Sequence, residues 1–265
     1  MDHIPRAAVA GAGELIATVI ALAAATADGA LLYAIASSGI ISLPDILYTV
    51  AVPAAIVLAV LLGIAAAARW RRLAAGIVTG FWAGAACTVV LEIVREIGFR
   101  AFGSMPGDLP MLMGVQITGT IMQGPGIVSY IAGWAFHFWN GAMFGVIFML
   151  LAGGFPRMRR GGWVTAGLGA FYGVLLATGF LLSPATTSTG AGLFGLTFGA
   201  KMTITVYLAH ILFGAVLGLL AHSFGARIEP LWTPVLRLAG QLTRRIPPAA
   251  QLPADARTMR GRPSS

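Results

Sequence analysis

Charged residues are scarce in this chain. Of its 265 residues, 58% are hydrophobic and only 10% are charged, whereas soluble domains carry roughly 25% charged residues. Water cannot solvate such a surface, so the composition indicates a protein embedded in a lipid bilayer. The net charge of +8 does not point to nucleic acid, because the basic residues lie in short loops and in the tail, where they set membrane orientation.

Cysteine is almost absent, and so are the motifs of soluble enzymes. Cys87 is the only cysteine, so neither an intrachain disulfide nor a cysteine-based metal motif can form. The sequence has no P-loop, no dinucleotide-binding glycine pattern and no His-Glu-x-x-His. We therefore find no positive indication of an enzyme, and no cofactor is identified.

Long apolar stretches dominate what is present. Six of them reach the ~20 residues that are needed to cross hydrocarbon, which predicts an all-α fold: a polytopic membrane helix bundle of about six transmembrane helices. We expect a transmembrane domain over residues 1–226 and a basic cytoplasmic tail, partly disordered, over 227–265. The predicted spans are residues 10–36, 46–68, 73–94, 127–153, 162–183 and 203–224.

The arginines predict the orientation. They cluster after the second, fourth and sixth spans, and six spans would place all of these clusters on one side of the membrane. By the positive-inside rule this side is the cytoplasm, so we expect both termini to be cytoplasmic, in the inner membrane of a bacterium. The clusters are Arg69, Arg71 and Arg72; Arg157, Arg159 and Arg160; and Arg227, Arg237, Arg244, Arg245, Arg257, Arg260 and Arg262.

The N-terminus has a second interpretation. The apolar stretch that ends in Ala25-Thr26-Ala27 resembles a signal peptide with its cleavage site. The apolar sequence resumes at Ala30, so we expect an uncleaved first span; cleavage would leave five spans.

Two segments outside the spans also suggest helices. Residues 109–122 are apolar but too short to cross straight, which predicts a re-entrant or interfacial half-helix. Residues 231–242 are expected to form a short helix on the membrane surface. At the end of the third span, Glu92, Arg95, Glu96 and Arg100 form a ladder of opposite charges, which we interpret as a solvated helix end.

A motif, H-x-x-x-G-x-x-x-G, occurs twice. It consists of His137, Gly141 and Gly145 in the fourth span, and its second copy is His210, Gly214 and Gly218 in the sixth. Residues spaced by four share a helix face, and such glycines permit close helix packing.

The spans before these motifs match as well. Arg71-Arg72 leads to Gly80 and Gly84, and Arg159-Arg160 leads to Gly169 and Gly173. We therefore predict an internal duplication of a helical hairpin. A chance resemblance among glycine-rich spans is the alternative.

The same fragments carry a family resemblance. Gly133-Trp134, His137, Asn140-Gly141 and the segment from Ala209-His210 to Gly218 resemble an uncharacterised family of small multi-pass bacterial and archaeal membrane proteins, a domain of unknown function with intramembrane H-x-x-x-G-x-x-x-G motifs. The resemblance covers roughly residues 73–224 and implies no activity.

Two intramembrane histidines are the main functional candidates, because burying an ionisable group in a membrane is costly. His137 and His210 are expected at similar depth, with Asn140 one turn from His137. The leading hypothesis is a site for binding or transporting a small solute or a metal ion, formed by His137, Asn140 and His210. A proton relay, and a b-type electron-transfer protein whose haem is ligated by both histidines, are alternatives. In a structural or accessory subunit the histidines would serve only helix packing.

The methionines suggest a copper site as another possibility. Thioethers select Cu(I), although methionine is also an ordinary apolar filler. The methionines near the outer face are Met105, Met111, Met113, Met122 and Met202.

The bilayer is the expected partner, a homo-oligomer or a membrane complex is possible, and nucleic acid is not expected.

Overall fold

The fold is an all-α bundle, as predicted. A computed structural model describes residues 6–29, 32–155, 161–225 and 228–243, and over these ranges it contains helices and turns but no strand. Six helices are long and apolar enough to cross a membrane, so the chain is a multi-pass membrane protein.

The observed spans agree with the predicted ones within three residues, with one exception. The third span continues to Phe102 instead of ending near residue 94, because its charged end is also helical. The six spans are Gly11–Ser37, Leu43–Ala67, Arg71–Phe102, Ile127–Ala152, Gly162–Leu182 and Ala200–Phe224.

The first two spans are interrupted helices, and short helices occupy the loops. The first span comprises α1 (Arg6–Asp28) and α2 (Leu32–Ser37); the second comprises α3 (Leu43–Ile46), a π-helical turn (Leu47–Ala51) and α4 (Val52–Ala67). The remaining helices are α5 (Arg71–Phe102), α6 (Leu109–Thr118), α7 (Ile127–Ala152), α8 (Gly162–Leu182), α9 (Pro184–Thr186), α10 (Ala200–Gly225) and α11 (Trp232–Thr243).

Helix α7 is the central element of the bundle. In its span 61% of the most apolar window is buried inside the protein, against 28% for the second span. Large apolar side chains such as Ile56, Trp82 and Phe171 are exposed on the outside. A bilayer accommodates such side chains, and it permits only backbones that satisfy their own hydrogen bonds, as helices do.

The bundle has two distinguishable ends. Helices α5 and α7 pack antiparallel, as do α8 and α10, and α5 also packs against α10. We call the end where α5 and α8 finish and α7 and α10 begin the Phe102 end, and the opposite end the Arg72 end.

Arg72 links α1 and α7 at the Arg72 end by hydrogen bonds. Its side chain is buried rather than solvated; it donates hydrogen bonds to the hydroxyl of Thr18 on α1 and to the carbonyl of Leu150 on α7. Arg69 and Arg71 are exposed there. One member of the first arginine cluster therefore has a packing role.

Helix α6 lies in the segment that was predicted to form a half-helix. A Cβ added at Gly114 or at Gly133 would overlap the backbone of the other helix, so α6 and the start of α7 are in direct contact. Pro110, early in α6, contacts Gly133, whereas Thr118 at its end reaches Ser129 near the start of α7. The start of α6 therefore lies deeper than its end, which is the geometry of a re-entrant segment.

Part of the predicted organisation lies outside the described residues. This applies to the arginines at 157–160 and to the tail from residue 244 onwards, including the predicted disorder. Helix α11 coincides with the helix predicted at 231–242, and it packs against α1.

Candidate functional site

A cavity of about 270 Å³ lies inside the bundle near the Phe102 end. Its walls come from α2, α5, α6, α7, α8 and α10 and from the segments after α5 and α8. Most of the wall is apolar. The polar side chains that line it are Tyr33, Arg95, His137, Asn140, Ser183 and His210.

All three residues predicted to form a site line this cavity. His137 and Asn140 come from α7, and His210 comes from α10; together they also line a second cavity of about 40 Å³. Each histidine is ten residues from the start of its helix, a distance of roughly 15 Å at the helical rise. The two imidazoles therefore face one internal space at matched depth.

His137 is paired with a carboxylate. Its Nε2 lies 2.7 Å from Oε1 of Glu92 on α5, but the contact does not have the geometry of a hydrogen bond, and both ring nitrogens are buried without a hydrogen-bond partner among the described residues. Because a carboxylate only accepts, the nitrogen beside Glu92 carries the hydrogen in the neutral ring. Nδ1 then keeps a free lone pair.

His210 is held differently. Its Nδ1 lies 2.8 Å from the carbonyl oxygen of Val206, one turn earlier on α10. A carbonyl only accepts, so Nδ1 carries the hydrogen and Nε2 is left with its lone pair. The ring also stacks on Phe180 of α8, with ring centroids 6.2 Å apart.

Arg95 forms the centre of a buried charge cluster. Its guanidinium lies 2.6 Å from Glu92, 2.6 Å from Glu96 and 3.0 Å from Asp108, and its side chain is only 2% exposed. Nη1 of Arg95 has no hydrogen-bond partner within the described ranges. Arg100, which is 74% exposed, pairs with Glu96.

The interpretation of this region as a solvated helix end was therefore wrong for Glu92 and Arg95. Both are buried, and the ladder is solvated only at Arg100. The sequence contained a signal: Glu92 lies eight residues after Gly84, which places it on the face of α5 that packs into the bundle. The partnership with Asp108, in contrast, depends on the path of the chain after α5.

Asp108 brings a further carboxylate to the site from outside the spans. It is the residue before α6 and is 9% exposed. Burial raises the pKa of Asp108, and the nearby Arg95 guanidinium opposes this shift.

Asn140 does not orient the ring of His137. Its Oδ1 is buried without a hydrogen-bond partner in the described part of the chain, as is His137 Nδ1. Two unoccupied acceptor atoms on α7 are thus available beside the cavity, and buried polar atoms of this kind ordinarily have partners.

The motif glycines lie where helices touch. A Cβ added at Gly141 would overlap Thr88 of α5, and one at Gly145 would overlap the carbonyl of Gly80. In the second pair, a Cβ at Gly214 would overlap the carbonyl of Gly169, and one at Gly218 would overlap that of Thr165.

These contacts correct the predicted alignment of the earlier spans by one helical turn. Gly84 faces Gly141 in the first pair of helices, and Gly169 faces Gly214 in the second. Gly84 and Gly169 therefore make equivalent contacts in their two helix pairs, and Gly173 does not match Gly84. Gly173 instead contacts the backbone of His210.

The geometry does not favour a metal centre. No group of three or more His, Cys, Asp or Glu side chains arranged to hold a metal ion occurs among the residues that the structure describes. The methionines gather only in part: Met105 and Met113 line the cavity, and Met105 packs against the apolar cluster that contains Met202, whereas Met122 is 93% exposed.

Comparisons with family models, with curated proteins and with solved structures find no match to this chain. The resemblance described from the sequence fragments stays a prediction, and function has to be argued from the site.

Proposed function

We propose that this protein binds a small solute in the cavity at the Phe102 end and carries it across the membrane. The binding groups are His137, Asn140 and His210, as the sequence predicted, with Arg95 as an additional member. The observation that carries the proposal is that polar atoms without partners, from α5 and α7, border one largely apolar cavity. Sites for small molecules have this character: apolar walls and a few placed polar groups.

The size of the cavity favours a small solute over a haem. Pockets for drug-sized ligands occupy about 300–1,000 Å³, and this cavity of about 270 Å³ falls just below that range. The stacking of His210 on Phe180 fills space beside the ring that the flat macrocycle of a haem would need. A metal ion is disfavoured because tetrahedral sites take at least three protein ligands.

The proposal includes a duplicated hairpin. Helices α5 and α7 and helices α8 and α10 make corresponding contacts at the motif glycines, with Thr165 in the place of Gly80, and both histidines lie one turn before the first motif glycine. In transport proteins, related repeats place a binding site at their interface. The two histidines, one from each hairpin, line the cavity in this way.

The two hairpins then differ in charge. If Gly84 corresponds to Gly169, the position of Glu92 is taken by Ala177 and that of Arg95 by Phe180. His210 accordingly contacts a backbone carbonyl and an aromatic ring where His137 contacts a carboxylate. One hairpin supplies the charged side of the site and the other an apolar side.

The proposal also includes the side of the membrane on which the cavity lies. Arg69 and Arg71 are exposed at the Arg72 end, which supports a cytoplasmic position for that end. The cavity would then lie in the half of the bundle that faces away from the cytoplasm, in the inner membrane of a bacterium, with both termini in the cytoplasm.

The proposal is tested by screening small solutes against the purified protein in mild detergent. A ligand at 100 times its Kd stabilises the folded state by about 2.7 kcal/mol, which a thermal unfolding scan detects. We expect the stabilisation to be lost in Asn140→Ala and His210→Gln and kept in His222→Gln, whose site lies at the other end of α10. Uptake of the same solute into proteoliposomes then distinguishes transport from binding alone. A haem spectrum, or stabilisation by a metal ion only, would refute the proposal.

A further inference from the structure

We infer that the solute is a small organic monocation. The inference rests on the proposed function, because it names the ligand class of the same cavity. It is argued from the charges, walls and free acceptor atoms of the site.

The first argument is the charge balance. Arg95 contacts the carboxylates of Glu92 and Asp108 in the interior, and Glu96 is matched by the exposed Arg100. With His137 neutral, the buried groups carry a formal charge of −1. Either a proton on His137 or one bound cation brings this charge to zero.

The second argument is that Arg95, which already contacts the carboxylates, is the only Arg or Lys among the described residues that line the cavity. Around His137, α5 contributes Glu92 and Arg95, the segment before α6 contributes Asp108, and α10 contributes His210. Helix α2 contributes the phenol of Tyr33, and no titratable side chain of α8 lines the cavity. A net negative charge in a low-dielectric interior is costly, so it favours a positively charged occupant.

The third argument is the chemistry of the wall. The cavity is bordered by the aromatic rings of Tyr33, Phe144 and Phe180 and by aliphatic side chains. Aromatic faces attract organic cations, whereas a fully hydrated inorganic cation would gain little from such a wall. An ammonium group with a short hydrocarbon chain matches both parts of the site.

The fourth argument is the set of free acceptors. Nδ1 of His137 and Oδ1 of Asn140 lack partners within the described ranges and would accept from an ammonium N–H. Arg95 Nη1 is a free donor and could pair with an anion instead. A bound anion, however, would double the uncompensated charge of the cluster from −1 to −2.

The test uses three probes with the same chain: hexylammonium, 1-hexanol and hexanoate. A primary ammonium stays charged at pH 5.5–7.5, since its pKa resembles that of lysine, about 10.4. Titration calorimetry on the full-length protein in mild detergent gives the affinity for each probe. We expect hexylammonium to bind about tenfold or more tightly than hexanol, the minimum for one charged hydrogen bond, and hexanoate not to bind.

Asn140→Ala tests the acceptor atom Oδ1, which has no partner within the described ranges. Asn140→Ala should bind hexylammonium more weakly than the unaltered protein does, whereas His222→Gln, at the other end of α10, should bind it equally well. Thermal unfolding scans establish that both variants are folded.

The possible outcomes separate this inference from the proposed function. Tighter binding of hexanoate than of hexylammonium, or no binding of hexylammonium by the unaltered protein, would overturn the inference even if Asn140→Ala failed to fold. Stabilisation by a neutral or anionic solute in the broader screen would leave the proposed function standing.

Discussion

At the scale of single residues, the defining feature is that Arg95 shares one guanidinium among three carboxylates. An isolated charge buried in a protein interior costs several kcal/mol, and good geometry with opposite charges offsets this. Each carboxylate supplies contacts that hold this guanidinium in the interior. The carboxylates differ in exposure, so their contributions to stability should differ.

We predict that Glu92→Gln lowers the free energy of unfolding by about 3 kcal/mol, because breaking a buried ion pair is strongly destabilising. Glu92 is 4% exposed and contacts both Arg95 and His137. The matched control is Glu96→Gln, whose side chain is 23% exposed and whose loss should cost about 1 kcal/mol. Denaturant unfolding in mixed micelles measures both, and equal losses would contradict the burial argument.

A second residue-scale prediction concerns pH. Burial raises the pKa of Asp108 above its ordinary value of 3.8, so ionising this carboxyl costs more in the folded state than in the unfolded state. Its contribution to stability is therefore present at low pH and is lost as the pH rises from 3.8 through the raised pKa. Relative to the unaltered protein, Asp108→Asn should become more stable as the pH increases across this interval. A stability difference that stays constant with pH would contradict the prediction.

At the scale of helices, α5 shows what apolar patterning reveals and what it misses. The apolar pattern predicted the start of this span within two residues, but it predicted the end eight residues too early. The reason is that the charged residues after residue 91 are typical of a helix end exposed to water. That segment is inside the bundle only because Asp108 and His137 reach it from other parts of the chain. Such partners are far apart in sequence and cannot be derived from one helix.

The glycine contacts give a matched test on one helix. At Gly169 of α8 a methyl group would overlap the carbonyl of Gly214, whereas at Gly167 it would meet nothing within 4 Å. We predict that Gly169→Ala destabilises the protein by about 2–3 kcal/mol through overpacking. Gly167→Ala should be neutral or stabilising by up to roughly 1 kcal/mol, since alanine favours helix formation. Thermal unfolding of both variants measures the difference, and similar midpoints would show that α8 and α10 pack less closely than described.

At the scale of the whole molecule, the number of spans and the choice of site residues came from different kinds of signal. Hydropathy is additive along the chain, so six spans could be predicted from sequence. The distances of His137 and His210 from the outer ends of their predicted spans also predicted similar depth. Sequence could not show that both rings border one cavity, nor that Arg95 joins them, because these depend on which helices are neighbours.

The orientation of the whole molecule remains a prediction, and cysteine labelling tests it directly. The native Cys87 is fully buried, so the unaltered protein should not react with a membrane-impermeant maleimide and serves as the blank. Met122, at the Phe102 end, is 93% exposed, and Arg71 is exposed at the Arg72 end. The arginine distribution places the Arg72 end in the cytoplasm.

We therefore expect Met122→Cys to be labelled in intact cells whose outer membrane has been permeabilised. Arg71→Cys should be labelled only after the inner membrane is also broken. The reverse pattern would overturn the orientation and would place the cavity in the cytoplasmic half of the bundle. The binding groups would be unchanged, but the solute would then reach His137 from the cytoplasm, so labelling of these two cysteines also decides from which side the cavity is loaded.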